Sequence, residues 1–388
     1  MTEPKRSLRE TGAPGLTPAL LAAALALPGV AAPTATQAAP PEQAQLDVRY
    51  LRYQDSQPGL KRITASSPSV GLKVPINERW SFEGTAVYDS VSGASPRWHS
   101  AVSSASRMHD ERRAGDVRVT RHWDRATLSL GGSTSSEHDY RSRAMNVLGT
   151  LSSDDNNRTW TFGIGRANDR IDPVNGIVVG ERKRTTDLMV GVSQVLTPVD
   201  IVQANITHAR GSGYYSDPYK SIDNRPRERH QTAMLLRWNR FVEPLGATMR
   251  TGYRYYTDSW NVASHTLTGE WVQPLKDGWT VTPSLRYYTQ RAASFFYDTV
   301  YDPTLGAPFP IDYLSNPDGI RSPDARLSAF GAGTIGLRVA KAIDRSNIVD
   351  FKIEYYEQRA GWRIGGAGSP GLDPLRATIF QVGLTHLF

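Results

Sequence analysis

The feature that most constrains this chain is a period of two, held over segments of mostly eight to fifteen residues and repeated sixteen times between residues 46 and 388. Trp80, Phe82, Ala86 and Tyr88 alternate with Ser81, Glu83 and Thr85; Val349, Phe351, Ile353 and Tyr355 alternate with Asp350, Lys352 and Glu354. Such spacing places one set on each face of a β-strand. One face is apolar and the other ionic. The segments include 46–54, 66–76, 116–123, 185–196 and 375–388. They are longer than the five or six residues usual in soluble sandwiches, and suit tilted strands crossing a bilayer in about 9 to 11.

The connections alternate as well. Ile76–Glu78, Asp124–Arg125, Thr197–Val199 and Pro274–Gly278 are short, whereas 90–115, 169–184, 212–228, 292–326 and 360–374 are long. Long loops therefore share one side, and an even strand count returns both chain ends to the other. The reading is a transmembrane up-and-down antiparallel β-barrel of about sixteen strands, with short periplasmic turns and long extracellular loops. Alternation alone fits a soluble sheet too. Three features decide for the membrane. Tyrosines gather at the ends of odd-numbered strands, as in RYLRY (49–53), YRYY (253–256), LRYY (285–288) and IEYY (353–356), predicting an aromatic girdle at one rim. Sixteen strands enclose a centre too wide for side chains to fill. The chain also closes on IFQVGLTHLF, with Phe380, Val382, Leu384, His386 and Phe388 on one face.

Composition narrows the classes further. One long apolar stretch, residues 16–32, follows Lys5, Arg6 and Arg9 and precedes small residues. It reads as a signal peptide over 1–38, cut near 31 or 38, followed by a short periplasmic segment at 39–45 and the barrel at 46–388. No stretch supports a bundle of membrane helices, each of which needs about 20 apolar residues. The formal charge of +7 is small and scattered, which argues against nucleic acid as a partner. Cysteine is absent, excluding thiolate chemistry and Cys-ligated metals.

SVSGASPRW (90–98), GGSTSSEHDYRS (131–142), RANDRIDP (166–173), DNRPRERH (223–230) and SPDARLSAFGAGTIGL (322–337) together resemble a bacterial family catalogued as domain of unknown function 3570. The resemblance implies an outer-membrane barrel without assigned catalytic residues. It also implies a partnership with an envelope redox or flavin-handling system. The terminal strand resembles the signal read by the barrel-assembly machinery, carried here by Gln381, Gly383, His386 and Phe388.

No catalytic constellation emerges. A lipid hydrolase of this architecture needs histidine and serine two apart on one strand face; the nearest pair, His208 and Ser212, is four apart. His99, His109, His122, His138, His230, His265 and His386 are isolated, so no metal site or cofactor is expected. Asp154 and Asp155 suit a tight turn, and Glu137–Tyr140 suits a hairpin. The face opposite the aromatic stripe carries Arg49, Arg118, Arg237, Arg250, Arg254, Arg286, Arg338 and Lys352 against Asp47, Glu83, Glu270, Asp350 and Glu354. These charges suit cross-strand ion pairs that stiffen the barrel, and their cationic surplus suits a passage for small, anionic solutes. The loop 292–326 either narrows the barrel from within or forms an external surface.

Overall fold

The computed structural model describes residues 39–94, 107–220, 222–298, 310 and 315–388; the signal segment read at 1–38 lies outside these. Sixteen strands form one closed antiparallel barrel, each paired with its neighbours in sequence. They are β1 (Gln45–Gln57), β2 (Leu60–Asn77), β3 (Trp80–Ala94), β4 (Arg107–His122), β5 (Ala126–Ser136), β6 (Tyr140–Ser152), β7 (Arg158–Ile171) and β8 (Glu181–Thr197). The circuit continues through β9 (Asp200–Gly213), β10 (Glu228–Val242), β11 (Ala247–Asp258), β12 (Ala263–Pro274), β13 (Trp279–Gln290), β14 (Phe330–Ala342), β15 (Asn347–Arg359) and β16 (Leu375–Leu387). β16 pairs with β1 from Gln45↔Leu387 to Ser56↔Arg376, so no strand edge is left unpaired.

Several strands outrun their sequence pattern. The first two extend to Gln57 and back to Leu60, joined only by Pro58 and Gly59, the latter at φ 72° where a side chain would be strained. The long loop expected over 90–115 is shortened in the same way, because β3 runs to Ala94 and β4 starts at Arg107. The cause is the solvent. Beyond the bilayer a strand meets water on its outer face, so Lys61, Thr64 and Ala65 keep the hydrogen-bond ladder without an outward apolar stripe.

The oily residues point outward. Leu130, Phe162, Ile164, Leu188, Leu236, Leu285 and Ile335 are all exposed. A band of this extent is tolerable only in hydrocarbon. Its two borders carry different aromatics. Trp80, Trp123, Trp160, Trp238 and Trp279 stand outward near the short turns. Cations lie over several of these rings, with Arg121 at 5.2 Å from Trp80 and 5.0 Å from Trp123, and Lys341 at 5.1 Å from Trp279. Tyr50, Tyr88, Tyr253, Tyr255, Tyr287 and Tyr355 stand outward toward the opposite end.

The tyrosine girdle is only half of what the sequence predicts. Adjacent residues of a strand face opposite ways, so the YY pairs divide, and Tyr53, Tyr256, Tyr288 and Tyr356 turn inward. The interior is correspondingly mixed. Toward the long-loop end, Ile63, Ala65 and Val91 form a buried apolar cluster with Tyr53, while the ionic residues dominate nearer the short turns.

Candidate functional site

The interior is built from strand parity. Inward residues two apart on one strand meet inward residues of the next, so the registers place complementary charges side by side. At the closing seam, the Arg49 guanidinium donates to Asp47 at 3.2 Å and to Asp350 at 3.2 Å, and Asp350 also accepts from Arg338 Nε at 3.0 Å. Thr385 donates to Asp47 at 2.6 Å. Arg49 lies on β1 and Asp350 on β15, so this pair spans the whole of β16. Gly383 makes the span possible: a Cβ there would lie 2.4 Å from an Asp350 carboxylate oxygen and 2.9 Å from Arg49 Nη1.

Further round, Lys352 pairs with Glu354 at 2.9 Å, Arg250 with Glu270 at 3.9 Å, and Glu83 with both Lys73 at 3.4 Å and Arg118 at 3.6 Å. Each of the five carboxylates read from the sequence thus has a cation. Three arginines do not share this pairing. Among the described residues, no carboxylate lies within 4.0 Å of Arg237, Arg254 or Arg286. The registers set Arg237 beside Gly252, Gly252 beside Thr268 and Thr268 beside Arg286, with Arg254 one inward position above Gly252. Small residues leave room between the guanidiniums. Arg254 and Arg286 are exposed although they face inward, so water reaches this sector of the interior. Arg254 lies 5.2 Å from the Tyr256 ring centroid and Arg286 lies 6.0 Å from that of Tyr288, which fixes their stems.

Sequence parity stopped short of some inward charges. Arg112 and Asp89 pair at 2.5 Å, Lys183 and Asp169 at 3.1 Å, and Arg229 and Asp258 at 2.5 Å, all toward the strand ends by the long loops. The same alternation carried past the apolar stripe finds Asp89, since it continues the face of Glu83 and Thr85. Asp258 likewise continues the face of Arg250 and Arg254, and Arg229 that of Arg237, each beyond the end of its apolar stripe.

Above these strand ends the long loops pack on one another. Trp260, Val262, Ala293 and Leu327 form a buried cluster with Tyr215, Tyr256, Phe295 and Phe296. Gln290, on the inner face of β13, donates to the carbonyls of Arg326 and Ser328. The described part of the loop after β13 therefore reaches into the mouth and covers part of the inner wall. Residues 299–309 and 311–314 of that loop lie outside the described residues.

An ionic knot ties the bundle together. Asp324, fully enclosed, receives Lys220 at 2.9 Å, Arg225 at 2.6 Å and Arg326 Nε at 2.9 Å. Burial pushes the Asp324 carboxyl up, but Arg326, Lys220 and Arg225 outweigh it and hold it well below 3.8. A depressed folded-state value contributes stability above the unfolded value, lost as pH falls through the folded one. The loops are thus expected to stay protected from protease between pH 7 and pH ~4, and to be released only in stronger acid. Limited proteolysis across that range, read at the β9–β10 loop, checks it; release at pH ~5 would contradict the knot.

His208 faces outward and bonds to Thr232 at 3.0 Å, apart from any serine nucleophile. His122 faces inward, 2.8 Å from Ser81 Oγ. Asp155 caps its own turn, and bonds from Ser153 and Asn157 hold its carboxyl down at about 2. Glu137 N donates to the Tyr140 carbonyl in a tight hairpin. Among the described residues no three histidine or carboxylate side chains converge as metal ligands would. On the terminal strand Gln381 and Gly383 face inward, whereas His386 and Phe388 face outward with rings at 4.5 Å.

Closed strands, an outward oily band and two aromatic borders define a transmembrane barrel of the bacterial outer-membrane type. The chain belongs to the family described as "Protein of unknown function (DUF3570)", whose model matches residues 17–108 and 104–377. No curated protein matches it. Among solved structures, a bacterial polysaccharide outer membrane secretin is similar, with a TM-score of 0.51 and 10% identity over 89% of this chain and 98% of that one. CdiB from Acinetobacter baumannii gives a TM-score of 0.51 and 9% identity over 88% of this chain and 60% of its own. At such identities the likeness concerns the fold alone.

Proposed function

We propose that this protein is a non-enzymatic channel or transporter component through which small anionic solutes cross the outer membrane. The observation that carries the reading is the set of Arg237, Arg254 and Arg286, inward, water-reached in part and without carboxylate partners among the described residues. Unpaired cations lining a narrow, low-dielectric passage focus their field along it and raise the local concentration of anions. The paired charges serve a different end, stiffening the wall.

The test is reconstitution of the purified, heat-modifiable barrel into planar bilayers. Discrete conductance steps with a reversal potential favouring chloride over potassium are expected. Silent membranes containing folded protein would exclude an open pore.

A second reading is favoured by the loop bundle over the mouth: a plugged barrel that docks partners of an envelope redox or flavin-handling system. Its expected outcome is the silent bilayer. In that reading, trimming the loops after β9 and β13 would open the conductance. Assembly through Gln381, Gly383, His386 and Phe388 is a proposal of the same standing, tested by whether Phe388→Ala lowers the folded fraction in outer membranes.

A further inference from the structure

The outer surface of β6, β7 and β8 carries a feature that solute passage does not require. Arg141, Arg143, Arg166, Arg170, Arg182 and Arg184 all point outward and are exposed at the long-loop end. The registers put Arg141 beside Arg170 and Arg170 beside Arg182, and put Arg143 and Arg184 on either side of Asn168. Like charges directly opposite across strands repel. Among the described residues, the one carboxylate within 4.0 Å of any of the six is Asp172, on Arg170 at 2.5 Å.

Their height is set by the oily band. On β7 the outward residues from Arg158 run through Trp160, Phe162 and Ile164 to Arg166. Eight residues at about 3.3 Å each, tilted by about 40°, rise roughly 20 Å, close to the ~25 Å apolar band of such barrels. Arg158 therefore marks the inner border and Arg166 the outer one. The six guanidiniums stand where the headgroups of the outer leaflet lie. The opposite wall at that level is different: there Glu357 receives both Arg359 at 2.5 Å and Arg376 at 3.4 Å, leaving a single net positive charge on that rim.

We infer that this arginine face is a binding site for the phosphorylated, sugar-based lipid of the outer leaflet, held by its headgroup phosphates while its acyl chains lie on Phe162, Ile164, Leu188 and Val190. Guanidiniums grip phosphate oxygens through paired, charge-assisted bonds. Occupation by phosphate also removes the cross-strand repulsion. The inference stands apart from the channel reading, since it uses only the outer face.

The test is native mass spectrometry of the full barrel in detergent with bisphosphorylated lipid A, with lipid A stripped of both phosphates, and with inorganic phosphate alone. The phosphorylated lipid is expected to be retained, and removal of its phosphates to weaken binding at least about tenfold. Arg166→Gln, Arg182→Gln and Arg184→Gln together are expected to cause a similar loss in protein that still migrates as a heat-modifiable band. Arg359→Gln with Arg376→Gln on the other wall should leave binding unchanged. Equal retention of the dephosphorylated lipid by the unaltered protein would overturn the inference without reference to any variant. Full affinity in the folded triple variant would do the same, and occupation by inorganic phosphate as strong as by lipid would assign the face to a free anion.

Discussion

Replacing Asp350 by alanine is expected to weaken the barrel where its first and last strands meet. The carboxylate is enclosed between Arg49 and Arg338, at 2% exposure. Its loss leaves two cations crowded in the inner wall without their shared anion. Removing one partner of a fully buried pair costs about 3–5 kcal/mol; here Arg49 keeps Asp47 at 3.2 Å and Arg338 is 39% exposed, so water and the second carboxylate offset part of that cost. The readout is the temperature at which the compact band on a denaturing gel gives way to the unfolded one. It should fall clearly below that of the unaltered protein. Gly383→Val is expected to act in the same direction by another route, its side chain occupying the space through which Arg49 reaches Asp350. Exchanging the three charges together with Asp47, as Arg49→Met, Asp350→Leu, Arg338→Met and Asp47→Asn, should recover most of the loss, since no charge of the group is then left without its partner. An unchanged midpoint in Asp350→Ala would show that backbone pairing alone holds the seam.

Neutralising Arg237, Arg254 and Arg286 together with glutamine is expected to abolish anion preference. Charged walls change local ion concentrations by about 10-fold or more when their field is focused in a narrow passage. The chloride-to-potassium permeability ratio should therefore drop severalfold toward unity, and glutamate at the three positions should invert it. Reversal potentials in a salt gradient measure both. The Asp350 variant supplies the contrast: it changes heat resistance while leaving the unpaired triad in place. A ratio that stays constant through the neutral and acidic triple variants would remove these arginines from the conduction path.

Much of the architecture was legible in the residues. Strand count, alternation of short and long connections, and the outward direction of Phe351 or Leu236 all follow from parity and length. The ends of strands were less legible. Beyond the bilayer the outer face meets water, so Lys61–Ala65 and Glu111–Arg113 carry no outward apolar stripe although their backbones continue the ladder. The tryptophan border is illegible in the sequence for a related reason: single rings at the ends of five separate strands form a line only once the strands are laid side by side.

Charge shows the same division. Parity assigned Arg49, Arg254 and Asp350 to one face, yet could not say that the first reaches the third across an intervening strand, or that the second has no carboxylate. The sequence by itself determined a closed, inverted barrel, because a period of two with one oily face over sixteen long segments has few other solutions in a membrane. The tertiary structure decided which charges cancel and which stay free, because pairing depends on register, and register brings together residues hundreds of positions apart. It also decided that six arginines on three separate strands form one face, since each alone is an ordinary polar residue at a strand end.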